Sequence, residues 1–401
     1  MRGTEGFIGE RLREAREYNG ISAVSLAGLV GVTKQAISLY ELGESSPQPE
    51  VMEQIAHKLN MPVSFFLKPI STSNSSVTFF RSQAAATKLD RGRGNSRIRW
   101  LQEFVVPYLR NFVKFPSVNL PDITIPENTF KLSDNDIEEI ATDARARWGL
   151  GDGPISNMVL LTENNGFIVT RMDLDSPTLD AFSNFMAEDA TPYLVLGADK
   201  QSAVRSRFDT AHETGHHILH RKFKTDTFKN PSDFKIVEQQ ANRFASAFLV
   251  PRNKFAEDFS VPTLDAFLSL KSRWLVSVAM LIKRAFDLGF FSEEHYQRLW
   301  INYNRRGWRT EEPLDNRLPI EQPVLLRRAY NLLIDSGTRT REQILMDIPL
   351  APKDIEEISY LPRGYLAPSS PSVELKSIEN FAQDDNYKAA FEEVDRIIKG
   401  F

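Results

Sequence analysis

Residues 207–220 read RFDTAHETGHHILH and contain the motif His-Glu-x-x-His. On an α-helix, residues four apart lie one above the other, so His212 and His216 present two imidazoles to one point. This is the arrangement that a tetrahedral zinc ion accepts. Glu213 lies beside the two histidines and can take a proton from a metal-bound water without being a ligand itself. The segment therefore predicts a helix that carries a catalytic metal site.

The apolar residues of this segment support the helix. They recur at steps of three and four and form a stripe for burial: Phe208, Ala211, Gly215 and Ile218. A glycine inside a helix costs about 1 kcal/mol against alanine. Gly215 therefore indicates that another backbone or a ligand approaches the helix closely.

A catalytic zinc needs a third protein ligand and one open position. The next helical segment offers Glu238, in the run EQQANRFA at residues 238–245. Its apolar stripe would pack on the motif helix and consists of Val237, Ala241, Phe244 and Phe248. We expect a site of two histidines and one glutamate that holds Zn²⁺, with Mn²⁺ or Fe²⁺ as alternatives, because ligand type alone does not select the metal.

Two further histidines follow the motif. His217 points about 100° away from His216, and we expect it at the surface or behind the ligands. His220 continues the row, but a straight helix places it about 12 Å from His212, too far for both to bind one ion. Glu238 is therefore preferred as the third ligand.

The N-terminal residues 7–67 predict five short helices, two of which are joined at Gly31 with helix-turn-helix spacing. The residues expected to contact DNA bases begin the third helix: Thr33, Lys34, Gln35 and Ser38. Residues 1–68 hold seven Lys and Arg against eight Glu. A domain with so little positive charge binds DNA weakly unless it dimerises or a basic segment assists it. The alternative is a protein-docking or dimerising module of the same fold.

Composition limits the function classes. The 401 residues carry a net charge of −4, 41% are hydrophobic, and none is cysteine, which excludes disulfides, thiolate zinc sites and cysteine nucleophiles. The N-terminal sequence has charges where a signal peptide needs apolar residues, and no later run has the apolar length of a membrane span. We expect a cytoplasmic protein, nucleoid-associated when bound to DNA, without a membrane partner.

We expect an α+β fold that is mostly helical, with a small antiparallel sheet before the motif helix. The predicted boundaries are a helix-turn-helix domain at 1–69, a basic linker at 70–118, a peptidase domain at 119–258, a helical subdomain at 259–310 and a C-terminal region of unknown role at 311–401. The basic linker holds eight Lys and Arg against two acidic residues, interleaved with aromatic residues. It either faces phosphates or an acidic partner, or it docks its aromatic residues on a neighbouring domain.

The runs RFDTAHETGHHILH and EQQANRFASAFLVP resemble the ImmA/IrrE metallopeptidase family, and LAGLVGVTKQAISLYELGESSP resembles the XRE, or Cro/C1-type, helix-turn-helix. The resemblance implies a zincin-like peptidase domain with zinc on His212, His216 and Glu238, and Glu213 as general base. It also implies a DNA-associated regulator that cleaves a partner repressor or antitoxin-like protein. The alternatives are a transcription factor that senses a metal or ligand without proteolysis, and a toxin or defence protein neutralised by a partner.

Overall fold

The structure is a computed structural model of the chain. It describes residues 3–70, 78–80, 88–121, 129–174, 181–185, 191–198, 202–223, 227 and 230–367. Parts of the expected linker, at 71–77 and 81–87, and of the expected C-terminal region, at 368–401, lie outside the described residues. The sequence also predicts a strand at 179–186, of which residues 179, 180 and 186 lie outside the described residues.

The N-terminal domain consists of four α-helices and a final 3₁₀ turn: α1 (Gly9–Tyr18), α2 (Ala23–Leu29), α3 (Lys34–Glu41), α4 (Pro49–Lys58) and Val63–Leu67. Side chains cap the two central helices, because Ser22 accepts a hydrogen bond from the Ser25 amide at 3.0 Å and Thr33 accepts one from the Ala36 amide at 3.1 Å. Gly31 joins α2 to α3 at a φ of +70°, which glycine adopts without strain. The predicted helix-turn-helix elements are all present.

In the described part of the chain, no single helix is long and apolar enough to cross a membrane. Helices α2 and α3 reach the length and hydropathy of a membrane span only when they are counted together, and they are bent by 113° relative to each other.

The basic linker docks on this domain through α5 (Lys88–Trp100), a π-helical turn (Leu101–Val105) and α6 (Val106–Arg110). The ring of Trp100 lies 4.4 Å from Tyr18 and 5.7 Å from Phe65, centroid to centroid. Arg97 pairs with Glu357 at 2.8 Å and Arg99 pairs with Glu14 at 3.3 Å. Because these charges and rings are engaged within the chain, the structure favours the docking interpretation of the linker.

A four-stranded sheet lies at the centre. It contains β1 (Thr78–Phe80), β2 (Ile168–Met172), β3 (Ala181–Phe185) and β4 (Pro192–Gly197) in the order β1-β3-β4-β2. The expectation of a wholly antiparallel sheet is wrong, since β2 pairs with β4 in parallel while β3 is antiparallel to both of its neighbours. The reason is that β4 lies between β3 and β2, so a strand that is antiparallel to β3 becomes the parallel neighbour of β2.

Two long helices pack side by side next to the sheet, α9 (Ala203–Leu219) and α10 (Pro231–Leu249). They approach closely at Gly215, where an added Cβ would lie 2.9 Å from the ring of Phe244. The close approach that the sequence predicted at Gly215 is therefore made by an aromatic side chain. The other helices of this region are α7 (Asp134–Arg147), α8 (Met158–Asn164), α11 (Arg252–Asp258), α12 (Leu264–Trp274), α13 (Val278–Asp287) and α14 (Glu293–Arg305).

Two hydrophobic cores share the sheet. One face carries Ile168, Phe182 and Val195 and packs with the N-terminal helices, the linker and three C-terminal helices. The other face carries Val169 and Leu194 and packs with α7 to α14. The C-terminal helices are α15 (Leu325–Asp335), α16 (Arg341–Asp347) and α17 (Pro352–Ile358). The predicted fold class, α+β and mostly helical, is confirmed, and the predicted domain boundaries stay predictions.

Candidate metal centre

Helix α9 carries the His-Glu-x-x-His motif into the interior. Ser202 caps its first turn by accepting a hydrogen bond from the Arg205 amide at 3.4 Å. The side chains of His212, Glu213 and His216 are fully buried, because the sheet covers α9 on one side and α10 on another. Polar groups buried in this way need partners, and their partners define the site.

Three side chains converge with the geometry of a ligand set. Nε2 of His212 lies 3.0 Å from Nε2 of His216. Glu238, on α10, places Oε2 3.4 Å from the His212 nitrogen and Oε1 3.2 Å from the His216 nitrogen. Ligand atoms about 2.1 Å from a tetrahedral ion lie about 3.4 Å from one another. The residues present therefore fit a divalent metal with three protein ligands.

Glu213 lies next to this triangle of ligand atoms. One of its carboxylate oxygens lies within 4.8 Å of a ring nitrogen from each histidine. Its Oε2 accepts a hydrogen bond of 2.5 Å from the hydroxyl of Ser183, which is fully buried on β3. Sequence reasoning missed Ser183, because no motif in the chain marks a strand serine as the neighbour of a glutamate 30 positions later.

Hydrogen bonds orient both imidazoles from behind. Nδ1 of His212 lies 3.0 Å from Oδ1 of Asn242, and Nδ1 of His216 lies 3.0 Å from Nδ1 of His220. Nε2 of His220 in turn lies 3.0 Å from Oε1 of Gln240, whose amide donates to the Thr129 carbonyl at 2.7 Å. A metal at this site would take the lone pair on Nε2 of His212 and of His216, and each histidine would then carry its proton on Nδ1 and donate it.

These contacts indicate which ring nitrogen of His220 carries the proton. The Gln240 amide group is committed as a donor to Thr129, so its Oε1 accepts from His220. His220 therefore carries its proton on Nε2 and offers Nδ1 as an acceptor to His216. His220 lies outside the converging set of His212, His216 and Glu238. It instead contacts the outward nitrogen of one of them.

The electrostatics of the site agree with this assignment. Burial, followed by the neighbouring His216, holds the pKa of His220 well below its ordinary value, which keeps the ring neutral. Burial alone would raise the pKa of Glu238, but the hydrogen bonds and the electrostatic attraction of His212 and His216 together lower that pKa to about 2. Glu238 is therefore a carboxylate at neutral pH, as a metal ligand must be.

His217 is not at the surface. It is buried with its ring edge-on to Phe167 at 5.3 Å between centroids, and burial together with His216 lowers the pKa of His217 to about 3. The surface alternative is wrong because every residue from Asp209 to Leu219 of α9 is buried, which a helical wheel drawn from the sequence does not show.

The residues expected to read DNA lie together on α3. Thr33, Lys34 and Gln35 are exposed, while Ser38 is half-buried and donates to the Lys34 carbonyl at 3.2 Å. The first three are thus available to a partner at the beginning of the second helix of the pair, the position that enters the major groove in helix-turn-helix proteins.

Comparison with known proteins finds matches for two segments of the chain. Residues 162–286 match the peptidase family described as the IrrE N-terminal-like domain, and residues 12–66 match the helix-turn-helix family. The chain is 35% identical over 78 residues to the HTH-type transcriptional regulator SutR of Escherichia coli (strain K12), which is 20% of this chain and 44% of that protein. It is 32% identical over 61 residues to the SPbeta prophage-derived uncharacterized HTH-type transcriptional regulator YonR of Bacillus subtilis (strain 168), 15% of this chain and 56% of that protein. The chain thus spans about half the length of the curated relatives it matches.

The chain therefore combines a segment that matches helix-turn-helix domains with a segment that matches a peptidase-family domain. That second domain is IrrE N-terminal-like, as the resemblance predicted, and its matched residues include both histidines of the motif and Glu238. This family implies a divalent metal.

Proposed function

We propose that the protein is a DNA-associated transcriptional regulator whose metallopeptidase domain hydrolyses a peptide bond in a partner repressor or antitoxin-like protein. The observation that carries this proposal is the ligand triangle of His212, His216 and Glu238, with the buried carboxylate of Glu213 beside it. A structural ion site closes its coordination with a fourth protein ligand, whereas three ligands and an adjacent carboxylate are typical of a hydrolytic site.

The proposed roles follow from these contacts. The two histidines and Glu238 hold the metal, with Zn²⁺ the expected ion. When bound, a divalent metal polarises the scissile carbonyl and lowers the pKa of a water. Glu213 takes the proton from the attacking water and returns it to the leaving amine. Ser183 orients the Glu213 carboxylate by its 2.5 Å hydrogen bond.

The test measures metal and cleavage separately. Elemental analysis should find one zinc per chain in wild type and in Glu213→Gln, and much less in His212→Ala and Glu238→Ala. A repressor encoded next to this gene should be cleaved by wild type and left intact by Glu213→Gln. Retained zinc with identical treatment of the repressor by wild type and Glu213→Gln would refute the peptidase proposal.

A second candidate, a sensor that does not hydrolyse its partner, is favoured by a cavity. About 800 Å³ in volume, it is lined in part by Phe208, Asn242, Arg243, Lys283 and Trp308. Asn242 also contacts His212, so a small molecule in this cavity would touch a residue that orients a proposed ligand. On this alternative, Glu213→Gln leaves regulation of a promoter intact while His212→Ala disrupts it, which a reporter assay distinguishes.

A further inference from the structure

We propose that the chain's own segment Thr78–Phe80 occupies the position at which a peptide substrate adds to the sheet beside Glu213. The proposal rests on the peptidase function above. The segment forms β1 and pairs antiparallel with β3, with Thr78 opposite Asn184, Phe79 opposite Ser183 and Phe80 opposite Phe182. An extended piece of polypeptide is therefore already bound at this edge.

The register places this piece of chain at the catalytic carboxylate. Phe79 is paired with Ser183, and the Ser183 hydroxyl contacts Oε2 of Glu213 at 2.5 Å. Opposed residues of an antiparallel pair have Cα atoms about 4.5–5.5 Å apart. The backbone of Phe79 thus lies one strand spacing from the residue that orients the proposed general base.

Only one edge of β3 can accept an added strand. Its other side is paired with β4 along its whole length, from Ala181 opposite Leu196 to Phe185 opposite Pro192. Strand β4 has no free edge for an added strand, because it is enclosed between β3 and β2. A peptide that is to lie beside Glu213 must pair with the edge of β3 that β1 now covers.

The consequence is self-inhibition. An uncovered strand edge offers N–H and C=O groups that bind an extended peptide with little regard to its sequence. While β1 is paired, these groups are satisfied, and a substrate binds only to the fraction of molecules in which β1 has left. The segment follows the helix-turn-helix domain in the chain, so it connects the DNA-binding module covalently to the occupied edge.

The first test is the position of the strand. The chain has no cysteine, so a pair of introduced cysteines is the only pair of thiols. Thr78→Cys with Asn184→Cys joins opposed residues and should close to a disulfide under mild oxidation, because their expected Cα separation suits one. The matched control, Phe80→Cys with Asn184→Cys, is out of register by two residues and should stay open. An open in-register pair, or equal closure of both pairs, would overturn the proposal.

The second test is occupancy of the site, measured on the zinc-loaded full chain of Thr78→Cys/Asn184→Cys in its oxidised and reduced forms. The probes are Pro-Leu-Gly-hydroxamate, which needs the strand position, and acetohydroxamate, which needs only the metal. The oxidised form should bind the peptide hydroxamate at least about tenfold more weakly than the reduced form, because locking β1 removes the open fraction. Acetohydroxamate should bind both forms equally.

The outcomes separate the two proposals. Equal binding of the peptide hydroxamate by both forms, with acetohydroxamate bound, overturns the strand proposal and leaves the peptidase proposal standing. Failure of the chain to bind zinc or acetohydroxamate at all refutes the metal site, and the strand proposal falls with it.

Discussion

At the scale of single residues, the proposed ligands are held by specific neighbours. Asn242 contacts His212, and His220 contacts His216 through the nitrogens that face away from the site. Such contacts fix the tautomer and the ring orientation, and their loss typically weakens metal binding by about 10–100-fold. The sequence excluded His220 as a ligand by distance but did not predict this positioning contact, which depends on side-chain rotamers.

Replacing His220 should therefore weaken zinc binding without removing a ligand. We expect His220→Phe to bind zinc about 10–100-fold more weakly, because Nδ1 of His216 loses its acceptor. Competition with a chromophoric chelator measures this affinity. His217→Phe is the control, since His217 is buried on the same helix but faces Phe167. Equal loss in both variants would indicate general loosening of α9 and contradict the positioning role. In wild type, ¹⁵N NMR should find the His220 proton on Nε2.

One exposed lysine tests the predicted DNA contact. Lys34 begins α3 and is exposed. If the Lys34 ammonium contacts DNA, Lys34→Ala removes one positive charge from the interface and should reduce the slope of log K against log salt by about one. Fluorescence anisotropy at several salt concentrations measures the slope. Gln35→Ala, a neutral exchange at the next position, should leave the slope unchanged, and a slope that does not respond to Lys34→Ala would argue for the protein-docking alternative.

At the scale of secondary structure elements, the site depends on the packing of α9 against α10. The motif supplies two ligands from α9, whereas the third ligand and both amides behind the histidines, Asn242 and Gln240, come from α10. The helices approach closely because position 215 has no side chain. Any change that separates them moves Glu238 away from the histidines.

Gly215→Ala should consequently be destabilising in spite of the better helix propensity of alanine. The added methyl lies 2.9 Å from the buried Phe244 ring, and such overpacking costs typically about 1–3 kcal/mol, against about 1 kcal/mol gained in propensity. Gly28→Ala is a matched control, because a Cβ at this glycine in α2 meets nothing within 4 Å. Urea unfolding should show a lower midpoint for Gly215→Ala and an equal or higher one for Gly28→Ala; a gain in both would contradict the close-packing argument.

At the scale of the whole molecule, the C-terminal helices join the two cores. Glu321 accepts hydrogen bonds from the Met158 and Val159 amides at the start of α8, at 2.7 and 3.1 Å. Glu163, in the last turn of α8, accepts from the Val324 and Leu325 amides at the start of α15, both at 3.0 Å. Glu321 also pairs with the buried Arg207 of α9. Glu321 thus caps the N-terminus of α8, and Glu163 caps the N-terminus of α15. Together with the Arg207 pair, these contacts connect the C-terminal region to α9.

The cap at Glu163 makes stability depend on pH. Burial raises the pKa of Glu163 from 4.5 to about 7, although the two amides oppose the shift. The folded chain therefore binds more protons at this residue than the unfolded chain between pH 4.5 and 7, and the contribution of Glu163 to stability falls as pH rises through this window, by at most about 1.4 kcal/mol per unit.

The comparison with Glu163→Gln isolates this residue. Relative to the variant, wild type should be most stable near pH 4.5 and lose this advantage towards pH 7. Unfolding midpoints of both proteins across the window measure the difference. A difference that does not change with pH, or that grows with rising pH, would contradict the assignment.

Features that depend on local spacing could be predicted from the chain before its fold was known. Two histidines four apart on one helix, a glutamate on the next amphipathic helix, and Ser and Thr caps around Gly31 follow from the helical repeat and from capping, so α9, α10 and the helix-turn-helix were predicted with their main residues. The tertiary structure alone decided which distant groups meet: Ser183 with Glu213, His220 with Gln240, the linker aromatics with Tyr18, and β1 with β3. These pairings depend on strand order and on which helix faces are covered, which no local pattern in the chain specifies.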